Sequence, residues 1–158
     1  PMTTDSVRQS ALSLLTCSGA EGAPVMDALG GAVRTYLDVV ERIHAGIPWR
    51  AARELIEATG LAQAELARLL GTSASTLRRH LNSDDEMDPV ASDRAYRVAR
   101  VVVLADELFE GDTAKVHSWL NRPQPGLGEV RPVDIMDTSE GAEAVEDLLI
   151  RILDGGIA

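Results

Sequence analysis

Two adjacent arginines, Arg78 and Arg79, are the side chains whose type and setting point most directly to recognition chemistry. A guanidinium is a planar fork of donors that matches phosphate oxygens and the major-groove edge of guanine. The pair lies in the one basic stretch of an acidic chain. Residues 61–83 hold three arginines against a single acid, whereas 84–158 hold seven bases against seventeen acids, and the formal net charge is -10. A chain of this sign repels phosphate overall, so any contact with DNA must be local and helped by dimerisation. The acidic last third points either to a basic partner or to a solvated, solubilising face.

Catalytic chemistry finds no comparable pattern. Cys17 lies in a Ser/Gly-rich segment while His44, His80 and His117 fall on separate helical stretches, so no nucleophile is paired with a base. There is no Gly-rich phosphate loop, no carboxylate pair at catalytic spacing and no cofactor motif. A lone cysteine excludes an internal disulfide, and scattered histidines give no zinc-ligand spacing. The expectation is a protein that is not an enzyme and needs neither cofactor nor metal. No window approaches the roughly 18 unbroken apolar residues that span a bilayer, and no charged-then-apolar leader opens the chain, so a cytoplasmic location with no membrane partner is expected. Pro1 ahead of Met2 reads as the scar of a cleaved tag.

The arginine pair falls within Gln63 to Leu81, which fits a helix-turn-helix over its whole length. Ala67 lets the second helix cross closely, Gly71 supplies the positive φ of the turn, Leu66, Leu70 and Leu77 hold the two helices together, and Ser73 can cap the second. Thr72 and His80 stand where the template usually has apolar residues. If the second helix enters a major groove, Ser73, Ala74, Ser75, Arg78 and Arg79 face base edges and phosphates. The alternative is a helical hairpin that only packs. Arg94, Arg97 and Arg100 form a second basic stripe, which either approaches phosphate, binds an acidic partner, or stays solvated with Asp93 partly neutralising it.

The elements that must hold these residues are helical. Hydrophobic residues make up 45% of the chain but aromatic residues only 3%, so the core comes from Ala, Leu, Val and Ile at helical spacing, and an all-α fold is expected. Ser6 to Thr16 suits a short helix and Ser18 to Pro24 a linker, which makes 1–24 a flexible N-terminal arm. Ala28 to Ala45 carries Leu29, Val33, Tyr36, Leu37, Val40, Ile43 and His44 at helical spacing up to Gly46. Trp49 to Thr59 forms the next helix, with Pro48 in its first turn and Gly60 after it. Asp88-Pro89 opens a long helix, with Ala95, Val98, Ala99, Val102, Ala105 and Phe109 on one face and Val101, Val103 and Leu104 making it apolar nearly all round. It is read as the central helix of the second half, the alternative being a dimer interface. Asp112 caps a helix through Leu120, with Trp119 and Leu120 as core, and Pro123 to Pro132 is a loop with little room for regular structure. Asp137 and Glu140 fit a capping box for a last helix with Ala142, Val145, Leu148, Leu149 and Ile152 as its buried stripe and Glu140, Glu143, Glu146 and Asp147 outside it. The expected division is a helical DNA-binding domain at 25–90, with its helix-turn-helix at 63–81, followed by a second domain at 91–158.

From about residue 50 to the end, the chain resembles the Xre-MbcA-ParS antitoxins. The resemblance rests on the helix-turn-helix, Ala91-Ser92-Asp93-Arg94, Trp119-Leu120-Asn121-Arg122-Pro123, Gly126-Leu127-Gly128, Pro132-Val133-Asp134-Ile135-Met136-Asp137, Gly141-Ala142, Val145-Glu146-Asp147-Leu148-Leu149 and the Gly-Gly-Ile-Ala end, taken in order. It implies an Xre-like DNA-binding part followed by a toxin-binding domain. It also implies a RES-domain toxin as partner, one that resembles ADP-ribosyltransferases and consumes NAD by hydrolysis or phosphorolysis, or transfers ADP-ribose to a protein. Such an antitoxin blocks the toxin, represses the shared operon through operator DNA and forms a homodimer.

Under that resemblance the tail gains a role. Gly155, Gly156, Ile157 and Ala158 are thin enough to enter a dinucleotide cleft, where Asp154 and a terminal carboxylate would pair with arginines that otherwise hold pyrophosphate. Glu143 and Asp147 supply an acidic face for the same partner. The alternative is that the glycines only close the last helix. Relatives often carry an aromatic residue where Ile157 stands and a larger apolar one at Gly156. Two rival readings share the helix-turn-helix: a stand-alone transcriptional repressor with a ligand-sensing or dimerising C-terminal domain, and a toxin inhibitor that does not bind DNA.

Overall fold

In a computed structural model, residues 34–156 are described, and among them every regular element is helical apart from two isolated bridges. The expected helix at 6–16, the linker at 18–24 and the start of the helix at Ala28 lie outside the described residues. Helix α1 (Arg34–Ala45) ends at Gly46, whose φ of +97° and close approach to Glu86 and the Met87 carbonyl leave no room for a side chain. Leu37, Val40 and His44 fit the apolar pattern yet stand exposed, and Ile43 is half-buried.

Helix α2 (Arg50–Thr59) follows, with Gly60 in the left-handed conformation as its C-cap. Pro48 is not in its first turn. Trp49 occupies the cap position, and Pro48 forms an antiparallel bridge with Glu86. The Trp49 N–H donates to the Asp85 carbonyl at 2.9 Å and the Met87 N–H to Ile47 at 2.8 Å, tying the entry of α2 to the segment before the long helix.

Helices α3 (Gln63–Leu70) and α4 (Ala74–His80) come next, then α5 (Pro89–Leu108), α6 (Thr113–Leu120), a 3-10 turn at Pro125–Leu127, a single turn α7 (Pro132–Ile135) and α8 (Ser139–Leu153). Asp88 caps α5 by accepting from the Ala91 N–H, with Pro89 in the first turn. Helix α5 is the central element. It packs against α1, α2, α3, α6 and α8, and Val98, Ala99, Val101, Val102, Val103, Leu104 and Ala105 are all buried. A helix apolar all round needs neighbours all round, and here they come from the same chain.

Five local expectations need correction. Thr138, not Asp137, caps α8: its extended backbone aims Oγ1 at the Gly141 N–H, 3.0 Å away, while Asp137 is paired with Arg68 at 3.4 Å. Glu146 lies inside the buried stripe, 5% exposed, because α8 presses it against Arg100 of α5. The Pro123–Pro132 loop is ordered by a 3-10 turn, by a Gln124–Val130 bridge, and by the Gln124 amide, which donates to the Trp119 and Arg122 carbonyls at 2.9 and 3.2 Å. Leu120 is fully buried, but Trp119 is only half-buried, tilted against Phe109 at 6.4 Å beside a surface cleft. Ile152 is half-buried too.

Candidate nucleic-acid interface and toxin-binding surface

Helices α3 and α4 cross about Leu66, Ala67, Leu70 and Leu77, each at most 2% exposed. Gly71 takes φ +72° between them, and its N–H reaches the Ala67 and Arg68 carbonyls. Ser73 Oγ accepts from the Thr76 N–H at 3.1 Å and also contacts the Ser75 and Thr76 hydroxyls. At the start of α3, the Ala62 N–H is satisfied by the Glu65 carboxylate at 3.1 Å. The turn and its cap therefore form as the residue types require.

The five residues read as facing DNA separate into two kinds. Ser73, Ser75, Arg78 and Arg79 are exposed; Ala74 is half-buried and packs against the core. Arg79 lies 3.4 Å from the His80 ring. His80 stacks on Trp49 with ring centroids 5.0 Å apart and reaches Asp85 with Nδ1 at 3.3 Å, so it serves as the packing residue that the template places at the end of α4. Arg53 braces the same end, donating to the Leu81 carbonyl at 3.1 Å and to the Asn82 side chain.

Charge alone did not reveal the task of Arg68. Although it belongs to the basic segment, it donates to the Val133 carbonyl at 2.5 Å and pairs with Asp137. It joins the helix-turn-helix to the start of α8. Within the stripe on α5, Arg97 is held by Asp93 and by Ser139 Oγ, both at 2.8 Å, and Arg100 by Glu146 at 2.5 Å.

On α8, Glu143 and Asp147 are exposed and Glu146 is not. These residues, with Arg97, Arg100 and the partly exposed Ile150, line a groove of about 380 Å³ between α5 and α8. Burial pushes the Glu146 carboxyl above the ordinary range, against the pull of Arg100 and with some help from Asp147 and Glu143. At the end of α8, Asp154 is the cap residue, Gly155 takes φ +84°, and the Gly155 and Gly156 N–H groups donate to Ile152 and Arg151 at 3.0 and 2.7 Å. Both glycines thus close the helix. Ile157 and Ala158 lie outside the described residues, as does Cys17.

Residues 38–100 match the family described as the antitoxin Xre-like helix-turn-helix domain, and 104–155 the antitoxin Xre/MbcA/ParS C-terminal toxin-binding domain. An antitoxin Xre of Yersinia enterocolitica is 33% identical over 121 residues, covering 75% of this chain and 72% of the relative. The chain belongs to the Xre antitoxin family. A second antitoxin Xre, from Photorhabdus laumondii, is 29% identical over 113 residues, 72% of this chain and 76% of its own length. The Prs ADP-ribosylating antitoxin of a Sphingobium species is 26% identical over 130 residues, 77% and 82% of the two chains.

Both matched regions of the antitoxin meet inside α5. Arg94, Arg97 and Arg100 belong to the first, Glu146 to the second, and the Arg100–Glu146 pair bridges them. Among the described residues, no His, Cys, Asp and Glu side chains gather at metal-binding distance, and no helix is long and apolar enough to cross a membrane.

Proposed function

We propose that this antitoxin blocks a cognate RES-domain toxin, one that consumes NAD or transfers ADP-ribose, and represses its own operon through operator DNA as a homodimer. The observation that supports it most is one chain carrying both a braced helix-turn-helix with Arg78 and Arg79 exposed and a C-terminal region matching the toxin-binding domain. We assign base and phosphate contacts to Ser73, Ser75, Arg78 and Arg79, with Ala74 supporting the helix from behind. We assign toxin contacts to Glu143 and Asp147 on α8 and to Asp154, Gly155, Gly156, Ile157 and Ala158. The functional division runs through 25–90 for DNA and 91–158 for the toxin, and the chain acts by binding, without a reaction of its own.

The test is NAD consumption by the toxin with the full chain or with a chain ended at Asp154. Inhibition lost on truncation supports an active-site plug by residues 155–158. Inhibition that survives moves the contact to the acidic face of α8, and no inhibition by either returns the protein to a stand-alone repressor.

A further inference from the structure

Of the three arginines spaced along α5, two are matched by acids. Arg97 has Asp93, and Arg100 has Glu146. Arg94 forms neither an ion pair nor a hydrogen bond with any described residue. Its side chain nonetheless lies at a defined place in the fold. A Cβ on Gly71 would collide with the Arg94 guanidinium, so the charged group lies directly against the turn between α3 and α4. The half-buried side chain brings its cation to this turn, which leads two residues later into exposed Ser73, the cap of α4.

We propose that Arg94 is a DNA-phosphate contact delivered from outside the helix-turn-helix. A recognition helix presents its N-terminal end to the groove, and the backbone bordering that groove passes the turn that leads into it. A guanidinium there, with no acid to neutralise it among the described residues, offers its donors to a phosphate without first breaking an internal pair. The same close approach puts the guanidinium in the space that a side chain at position 71 would take. The helix that supplies Arg94 also reaches α8 through Arg97 and Arg100, so the register of the phosphate contact is set by the central helix of the molecule.

This inference rests on the DNA-binding reading, and the experiment keeps the two apart. Operator and unrelated DNA are titrated by fluorescence anisotropy across a range of salt, with the full chain, Arg94→Gln, Arg94→Lys and Arg78→Ala/Arg79→Ala. Arg94→Gln should bind both DNAs about tenfold more weakly and lower the salt slope by about one for each bound protomer, since a phosphate contact carries charge but no sequence. Arg94→Lys should restore most of the slope. Thermal melting of each variant separates this from packing, because a purely structural Arg94 would move the melting temperature and leave the salt slope of folded protein unchanged. Unchanged affinity and slope for Arg94→Gln, beside weakened binding by the double variant, overturn the role of Arg94 alone. Absence of DNA binding by the unaltered chain overturns both readings.

Discussion

Arg68, Arg78 and Arg79 carry the same charge within a dozen residues, and helix geometry assigns them different tasks. Arg68 is drawn to a carbonyl and an acid near α8, while Arg78 and Arg79 are exposed and form no ion pair with any described residue. Arg78→Ala and Arg79→Ala are each expected to weaken operator binding by about 1 to 3 kcal/mol, read by anisotropy, with no loss of thermal stability. Arg68→Ala should do the reverse, lowering the melting temperature first. Glu146 makes a prediction about pH. Its raised value means that the folded chain holds a proton at a pH where the unfolded chain has released it. Its contribution is therefore fully present below the unfolded-state value and declines as pH rises through the folded-state value. Asp134 has the opposite sign: the Arg131 hydrogen bond lowers its carboxyl, so what it adds is present above the unfolded-state value and lost on acidification through the folded one. In urea titrations over about pH 4 to 7, Glu146→Gln should remove the component that favours lower pH, making the variant more acid-sensitive relative to its own stability at neutral pH. A pH profile parallel to that of the unaltered chain would contradict this.

The elements were legible wherever a stop or start signal is chemically unambiguous. Asp88-Pro89, Ser73, Asp112 and Gly60 each cap the helix that the sequence assigns to them. The start of α8 was not, because Asp137 and Thr138 are both good cap residues and local chemistry cannot rank them. Arg68 ranks them by engaging Asp137, and the turn is completed by Gly141, where a side chain would collide with the Ile135 carbonyl. Thr138→Ala should accordingly cost about 1 kcal/mol in chemical denaturation. Asp137→Ala, which loses a half-exposed ion pair, should cost less than that. Burial of Glu146 was likewise hidden, since an acid on an otherwise polar helix face reads as solvated until a facing arginine is known.

At the scale of the molecule, the regions matched by the helix-turn-helix and toxin-binding families share one core. Leu55, Leu66 and Leu77 from the first part and Val116, Val145 and Leu149 from the second belong to a single buried cluster built around α5. Removing that helix exposes both halves. A fragment of residues 34–88 should therefore show no cooperative thermal transition, while the full chain should unfold in one step with circular dichroism and tryptophan fluorescence coinciding. Two resolved transitions in the full chain would show the halves to be independent. Leu149→Ala should destabilise the whole by about 2 to 5 kcal/mol, including the helix-turn-helix to which it makes no sequence-local contribution.

What the sequence determined by itself was periodicity and punctuation: an all-helical chain, the helix-turn-helix with its glycine turn and serine cap, a long helix too apolar for any surface, and a match in order to one antitoxin family. These follow from short-range physics, since φ preference, capping and the 3.6-residue repeat act within a few residues. Only the tertiary structure decided which charges remain available. Arg68, Arg97, Arg100 and Glu146 are engaged within the chain, Arg78 and Arg79 are exposed, and Arg94 lies against Gly71 with no acid among the described residues. The physical reason is that an ion pair depends on the distance between residues as far apart as 68 and 137 or 100 and 146. That distance is fixed by how helices pack around α5, and no spacing along the chain encodes it.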